Sequence, residues 1–314
     1  MRKIQLIFIL FLSTQALNAQ LVALKTLTKE AKLLVENDAF TLNLTKDQYY
    51  SSGIFGEWRY LLDSGANSKK IRSFTLNHRM YTPKWIGWDQ MEELDRPYAG
   101  LLSLSVANHY HFNNGRYLKT QLELGWLGPG ALVGETQSTW HKWFGMPQPE
   151  GWQYQINNTP IVNLYAHHVK AFAQNKNFEL INETNLALGT VYNYLRHEVV
   201  IRLGELLPVH QSAYLSSFLG KKKYKKTKKE VDEIYLFYAP GLEYVFYNAT
   251  IEGNLIGESS VYTEEANSWI WQHKAGIMFS WPSFDLGLTA YWRSQENSSA
   301  TSHNYVGIQL NQRF

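Results

Sequence analysis

Apolar and polar residues change places at every second position along this chain, in stretch after stretch. Leu118, Thr120, Leu122, Leu124 and Trp126 alternate with Lys119, Gln121, Glu123 and Gly125. Leu102, Leu104 and Val106 alternate with Ser103, Ser105 and Ala107, and Phe284, Leu286, Leu288, Ala290 and Trp292 alternate with Asp285, Gly287, Thr289 and Arg293. Successive side chains of an extended strand point to opposite faces, so each segment has one greasy face and one polar face. That suits a wall with lipid outside and a polar interior, although a β-sandwich would show similar alternation. The C-terminus favours the barrel. The chain stops on Phe314, preceded at every second position by Leu310, Ile308 and Val306, with Gln312 the exception. A final amphipathic strand ending in an aromatic residue resembles the signal that barrel-assembly machinery reads during outer-membrane insertion.

Composition sharpens this picture. Aromatic residues make up 15% of the 314 residues, with 20 Tyr and 11 Trp, a load that transmembrane barrels place in girdles at the two membrane interfaces. A mean hydropathy of −0.33 excludes a bundle of transmembrane helices. The absence of cysteine excludes disulfide scaffolds, zinc–thiolate sites and cysteine nucleophiles. A net charge of +3 is too mild to call for a polyanion, and nothing points to nucleic acid.

Residues 1–19 read as a signal peptide. Arg2 and Lys3 precede a short apolar run from Ile4 to Leu12, and cleavage is expected after Ala19. The run is too short for a spanning helix, which needs ~20 residues. Residues 20–314 are then one barrel domain, exported to the bacterial outer membrane. At ~10 residues per strand they make roughly 10 to 14 antiparallel strands. Two segments break the alternation. Gly134 to Gly145 has a helix-compatible composition and is bracketed by Gly128-Pro129 and by Pro147 and Pro149. Lys221 to Lys229 is a basic run that reads either as a solvated loop or as a clamp for lipid phosphates.

Four short stretches carry candidate chemistry: Glu36-Asn37-Asp38-Ala39-Phe40, Asp47 through Gly53, Asp95-Arg96-Pro97-Tyr98-Ala99-Gly100, and a longer run. The last extends from Gly128-Pro129 through Gln137 and His141 to Gly151-Trp152-Gln153. In this order and spacing, from about residue 35 to 160, they resemble the LpxR family of outer-membrane lipid A 3′-O-deacylases. The resemblance implies a twelve-stranded barrel, a site at its outer-leaflet end, and calcium-dependent hydrolysis of the ester holding the 3′ acyloxyacyl group of lipid A, with lipopolysaccharide as substrate. It implies catalytic roles for Asn37, Gln137 and His141, with Lys84 a looser match to an active-site lysine. It also implies that Asp38, and Ser51 where the family usually has threonine, help to hold Ca2+. The family can carry a glutamate six residues after the catalytic histidine. Here that position is Pro147, so the role is lost or passes elsewhere, with Glu150 and Glu135 the nearest carboxylates.

The chemistry is coherent without the name. Ester hydrolysis needs an activated water and a place for negative charge on the carbonyl oxygen. A histidine near neutral pKa can take the water's proton. A hard cation held by oxygens can polarise the carbonyl. Gln137 and His141 are four apart and share one face of a helix, where Gln137 could orient the ring or the water. Lys84 could hold a lipid phosphate or support the oxyanion, although beside Trp85 it also reads as an interface anchor. The DRPYAG stretch reads as structural, with Pro97 setting a turn and Gly100 opening a strand. One tension stands out: if Phe40, Leu42 and Leu44 face lipid, strict alternation turns the Asp38 carboxylate outward as well. Either a bulge resets the register or Asp38 lies beyond the hydrocarbon edge. Two other readings compete: a passive porin- or adhesin-like barrel, and a serine-type outer-membrane phospholipase using Ser138 beside His141.

Overall fold

The alternation becomes twelve antiparallel strands in this computed structural model, which describes residues 26–41, 47–220 and 231–314. They are β1 (Lys29–Asn37), β2 (Tyr49–Ser64), β3 (Ser68–Thr82), β4 (Ala99–Phe112), β5 (Arg116–Leu127), β6 (Thr159–Gln174), β7 (Phe178–Gly189), β8 (Tyr192–Glu205), β9 (Glu233–Asn248), β10 (Trp269–Ser280), β11 (Phe284–Arg293) and β12 (His303–Arg313). Each pairs with its neighbours in the chain, and β12 returns to β1 in register Leu33↔Leu310 and Asn37↔Val306, which closes the barrel and leaves no free edge. Among the described residues no helix is long and apolar enough to cross a membrane. The signal-peptide segment and the Lys221–Lys229 run lie outside the described residues.

Burial is inverted relative to a water-soluble protein. Leu104, Leu124, Trp126, Leu164 and Leu288 are exposed on the outer wall, whereas Glu123, Glu179, Arg202, Glu233, Asp285 and Arg313 are fully buried in the lumen. The buried charges are paired, as low-dielectric surroundings require. Arg202 bridges Glu179 and Glu233, Arg313 meets Asp285, and Arg79 meets Glu123 at 2.9 Å.

The two ends of the barrel differ. Three-residue turns join β2 to β3, β4 to β5, β6 to β7 and β10 to β11. At the opposite end lie long connections: residues 38–48, 83–98, 128–158, 249–268 and 294–302. In transmembrane barrels short turns face the periplasm and longer loops the exterior. The β8–β9 connection is long yet emerges at the short-turn end, and there it folds inward. Val209, Ala213, Leu215 and Phe218 pack on lumenal Val169, Ile181, Val200, Ala239 and Tyr235. Arg202 Nη2 donates to Ser212 Oγ at 2.7 Å, and the Ala213 N–H donates to Glu233 at 3.0 Å. Gly220 and Asp232, which flank the undescribed basic run, are tied by backbone hydrogen bonds to Leu27 and Ser280 at this same end.

Candidate functional site

The chemistry-bearing residues meet on the long-loop end, against the outside of the wall. Helix α1 (Val133–Phe144) follows β5 after the turn Gly128-Pro129-Gly130. Its start and stop agree with the reading of Gly134 to Gly145 to within a residue. Gly145, in the left-handed conformation at φ +66°, ends it by donating its N–H to the His141 carbonyl. One stripe of α1 is buried: Val133, Gly134, Gln137 and His141. That stripe faces the wall. Arg79 and Tyr81 of β3 line a cavity inside the barrel, so Met80 between them points out, and Gly100 of β4 is likewise opposite the inward Leu101. Val133 packs with Met80 and Ala131, and a Cβ at Gly100 would stand 2.5 Å from Val133 Cβ. Gly100 therefore does more than open a strand; its missing side chain is where the helix seats. Gly134 admits the Trp152 ring in the same way, with a notional Cβ 2.9 Å from it.

From this helix a chain of polar contacts runs to the β1–β2 connection. Trp152 Nε1 donates to Gln137 Oε1 at 2.7 Å, and Gln137 Nε2 donates to Asp47 Oδ2 at 2.9 Å. The same carboxylate oxygen lies 2.9 Å from His141 Nε2, while His141 Nδ1 is hydrogen-bonded to the Pro147 carbonyl. Gln137 thus orients the carboxylate that faces the ring, not the ring itself. Burial works against charge on His141, but the Asp47 hydrogen bond, the Pro147 carbonyl and the Asp47 charge outweigh it and hold its pKa above the ordinary imidazole value. No hydrogen bond or ion pair joins Glu135 or Glu150 to His141. Where the family carries a glutamate, the Pro147 backbone carbonyl and Asp47 engage the ring instead.

Asp38 is placed by a strand that stops. β1 ends at Asn37, and Asp38–Phe40 form one 3-10 turn, capped by Asn37 Oδ1 accepting the Ala39 N–H at 2.8 Å. The alternation therefore does not extend to Asp38, and its carboxylate is buried at the rim, not presented to lipid. Its Oδ2 accepts the Gln48 N–H at 2.7 Å; its Oδ1 is buried with no partner among the described residues. Burial, and then the nearby Asp47 charge, raise its pKa well above the usual carboxylate range. Ser51, at a bulge of β2 between Tyr50 and Ser52, is wholly buried, its Oγ without a partner among the described residues. Lys84 is exposed; its backbone N–H donates to Asp95 Oδ1 at 2.9 Å, and its ammonium makes no ion pair among the described residues.

The DRPYAG stretch frames the site by tying the loops together. Asp95 Oδ2 accepts the Tyr49 hydroxyl at 2.8 Å. Arg96 is buried, bonded to Glu296 at 3.0 Å and to the Thr250 carbonyl and hydroxyl at 3.2 and 3.1 Å, and it lies 4.7 Å over the Tyr81 ring. The Tyr98 hydroxyl donates to the Ile86 carbonyl at 3.0 Å.

Structure thus gathers His141, Gln137 and Asp47 directly, with Asp38 beside them through Gln48. It leaves Lys84 on the surface. Asp47 is the residue that sequence reasoning passed over. It stands at the head of the second stretch, but nothing in its distance along the chain from His141 marks the pairing.

Similarity to known proteins agrees with this picture. The model of a family described as outer membrane protein LpxR matches residues 6–314. The solved structure of LpxR from Salmonella typhimurium superposes with a TM-score of 0.72 at 18% identity, covering 91% of this chain and 100% of that one. An outer-membrane channel from Pseudomonas putida F1 gives 0.50 at 9% identity, covering 94% and 98%. At such identities the structural likeness is one of fold alone. No curated protein matches the sequence.

Proposed function

The chain belongs to the LpxR family of outer-membrane proteins, and from that premise we propose that it is a lipid A deacylase acting through His141 and Asp47. It is an outer-membrane β-barrel, and the observation that carries the enzymatic reading is the Trp152–Gln137–Asp47–His141 chain on the outside of its wall. A passive pore has no use for a buried imidazole locked on both nitrogens at the rim. The inward fold of residues 206–220 counts against a porin as well, because it packs on lumenal side chains at the short-turn end.

Nδ1 donates to the Pro147 carbonyl and Nε2 faces the Asp47 carboxylate, so Nε2 becomes the acceptor for the water's proton only once Asp47 turns aside. A water adds to the ester carbonyl carbon and passes its proton to Nε2, and the imidazolium so formed is held against Asp47. As the bond to the sugar oxygen breaks, that oxygen takes the proton back from Nε2, giving a free hydroxyl and a fatty acid. Gln137 keeps the Asp47 carboxylate aimed at the ring. Neither ring nitrogen is bonded to Ser138, so no serine nucleophile is set up on this histidine.

Calcium fits the residues present. Asp38 Oδ1 and Ser51 Oγ are buried oxygens without partners among the described residues, and a second carboxylate lies close enough to raise the Asp38 pKa. Hard oxygen donors of this kind suit Ca2+, which takes six to eight oxygens. Among the described residues no three acidic or imidazole side chains cluster as a ready-made cage, so backbone, water or substrate oxygens would complete the shell. When bound, the ion would polarise the ester carbonyl. Asn37 sets the turn that presents Asp38, and the exposed Lys84 ammonium is assigned to a phosphate of lipid A.

Lipid A mass spectrometry from cells expressing the wild type or His141→Ala, with and without calcium chelation, tests the reading. Loss of an acyloxyacyl mass from the 3′ position with wild type only, abolished by chelation, is expected. Unchanged lipid A from a correctly inserted wild-type barrel with calcium present would reject the deacylase.

A further inference from the structure

Helix α1 has three faces, and the site uses one. Its wall-facing stripe carries Val133, Gln137 and His141. Beside that stripe, Trp140, Trp143 and Phe144 fall at i, i+3 and i+4 and so share a second face, with Leu132 just ahead of the helix in line with them. Trp143 is 74% exposed, Leu132 59% and Trp140 46%, and the Trp140 and Phe144 rings pack together at 4.5 Å. The third face holds Glu135 and Lys142, both exposed. Large aromatics this bare on a helix that has charged positions to spare are costly in water.

The surroundings identify what covers them. α1 lies on the outside of the barrel over the outward-pointing Met80 and Gly100. Below these positions the same outward face continues as Leu102 and Leu104 of β4 and Trp126 and Leu124 of β5, with Leu102 paired to Trp126. That wall faces the acyl chains. Trp126 precedes the helix by a single short turn, so α1 begins at the hydrocarbon boundary. An aromatic face continuous with a lipid-facing wall, backed by a charged face turned away from it, is the pattern of an interfacial helix. Tryptophan in particular settles at the headgroup level, where its apolar body and N–H are both accommodated.

We propose that α1 is an interfacial anchor: its Trp140–Trp143–Phe144 face lies in the headgroup–acyl boundary of the outer leaflet, while Glu135 and Lys142 face the water. The lipid surface then presses the helix onto the wall, and the bilayer itself forms the outer lip of the cleft that holds His141 and Asp47. This assignment depends on the membrane location of the barrel and not on the reaction assigned to it, so it can stand or fall separately from the deacylase reading.

The absence of cysteine makes the test direct. Single-cysteine variants Trp143→Cys, Trp140→Cys, Lys142→Cys and, as a lipid-facing reference, Leu104→Cys are labelled with a nitroxide and reconstituted into phospholipid vesicles. Collision with oxygen, which concentrates in lipid, is compared with collision with a water-soluble nickel chelate. The labels at 143 and 140 are expected to favour oxygen several-fold over nickel, as at 104, and the label at 142 to show the reverse. Because all four side chains are exposed or half-exposed on the outer surface, heat-modifiable gel mobility should confirm that each variant folds; if Trp143→Cys does not, Trp140→Cys reads the same face. A 143 or 140 label as open to nickel as the one at 142 would overturn the proposal.

Discussion

Asp47 makes two short contacts through one carboxylate oxygen, to His141 and to Gln137, and both bear on how the site titrates. Nε2 accepts a proton only when the ring is neutral, so hydrolysis should rise with pH through the His141 pKa. Asp47 helps to hold that pKa above the ordinary imidazole value, against the opposing effect of burial. Asp47→Asn removes the charge, so the midpoint of the pH–rate profile should move to lower pH while the plateau rate falls. His141→Ala should lower the rate by ~10²–10⁴-fold, the usual contribution of a general base, with no change in barrel folding. Asp38 lies beside this pair, joined to it through the Gln48 N–H. Its Oδ1, without a partner among the described residues, predicts that Asp38→Asn lowers calcium affinity, measured as a rightward shift in the calcium dependence of activity, and that rates approach wild type again at high calcium.

At the scale of elements, the seat of α1 on the wall is made by missing side chains. A Cβ at Gly100 would meet Val133 at 2.5 Å, a separation that real Cβ atoms essentially never show. Gly100→Ala should therefore lift the helix and disturb the His141–Asp47 distance at a cost of about 1–3 kcal/mol, as overpacking generally does. Comparison of turnover with heat-modifiable gel mobility separates the two levels: turnover should fall while the closed barrel persists, since its strand ladders do not depend on the helix. The DRPYAG segment acts at this scale too. Through Arg96 and Asp95 it joins the β3–β4 connection to β2, the β9–β10 connection and the β11–β12 connection, and so fixes the rim from which Asp47 and α1 are held.

The whole molecule carries an inward-folded segment at one end and is chemically equipped at the other. Residues 206–220 fold into the lumen and are pinned by Arg202, whose guanidinium is shared between Glu179, Glu233 and Ser212. Arg202→Leu would leave two buried carboxylates without their cation, and removing one member of such a cluster costs ~3–5 kcal/mol. A lower urea midpoint for the detergent-refolded variant is the expected outcome. In planar bilayers the wild type should show no steady porin-like conductance, and Arg202→Leu should show intermittent openings as that segment loosens. Open steady conductance from the wild type would return the molecule to the class of passive channels.

Strand periodicity, the aromatic load and the closing amphipathic strand were legible in the sequence because a lipid-facing wall imposes its chemistry on every second residue. The helix was legible for a related reason, since Gly128-Pro129 and Gly145 are local stop signals that act through backbone conformation. The motif spacing carried Asn37, Asp38, Gln137 and His141, each of which lies in a short stretch with recognisable neighbours. Only the folded barrel paired His141 with Asp47, because α1 folds back over β3 and β4, beside β2, and so brings the β1–β2 connection alongside a helix nearly one hundred residues further on. Folding alone also lifted Asp38 out of the strand alternation, since the strand ends one residue earlier in a turn that Asn37 caps. Likewise it was the inside–outside sense of the closed sheet, a global property no local pattern encodes, that put α1 on the lipid side of the wall and the Arg202-pinned segment within it.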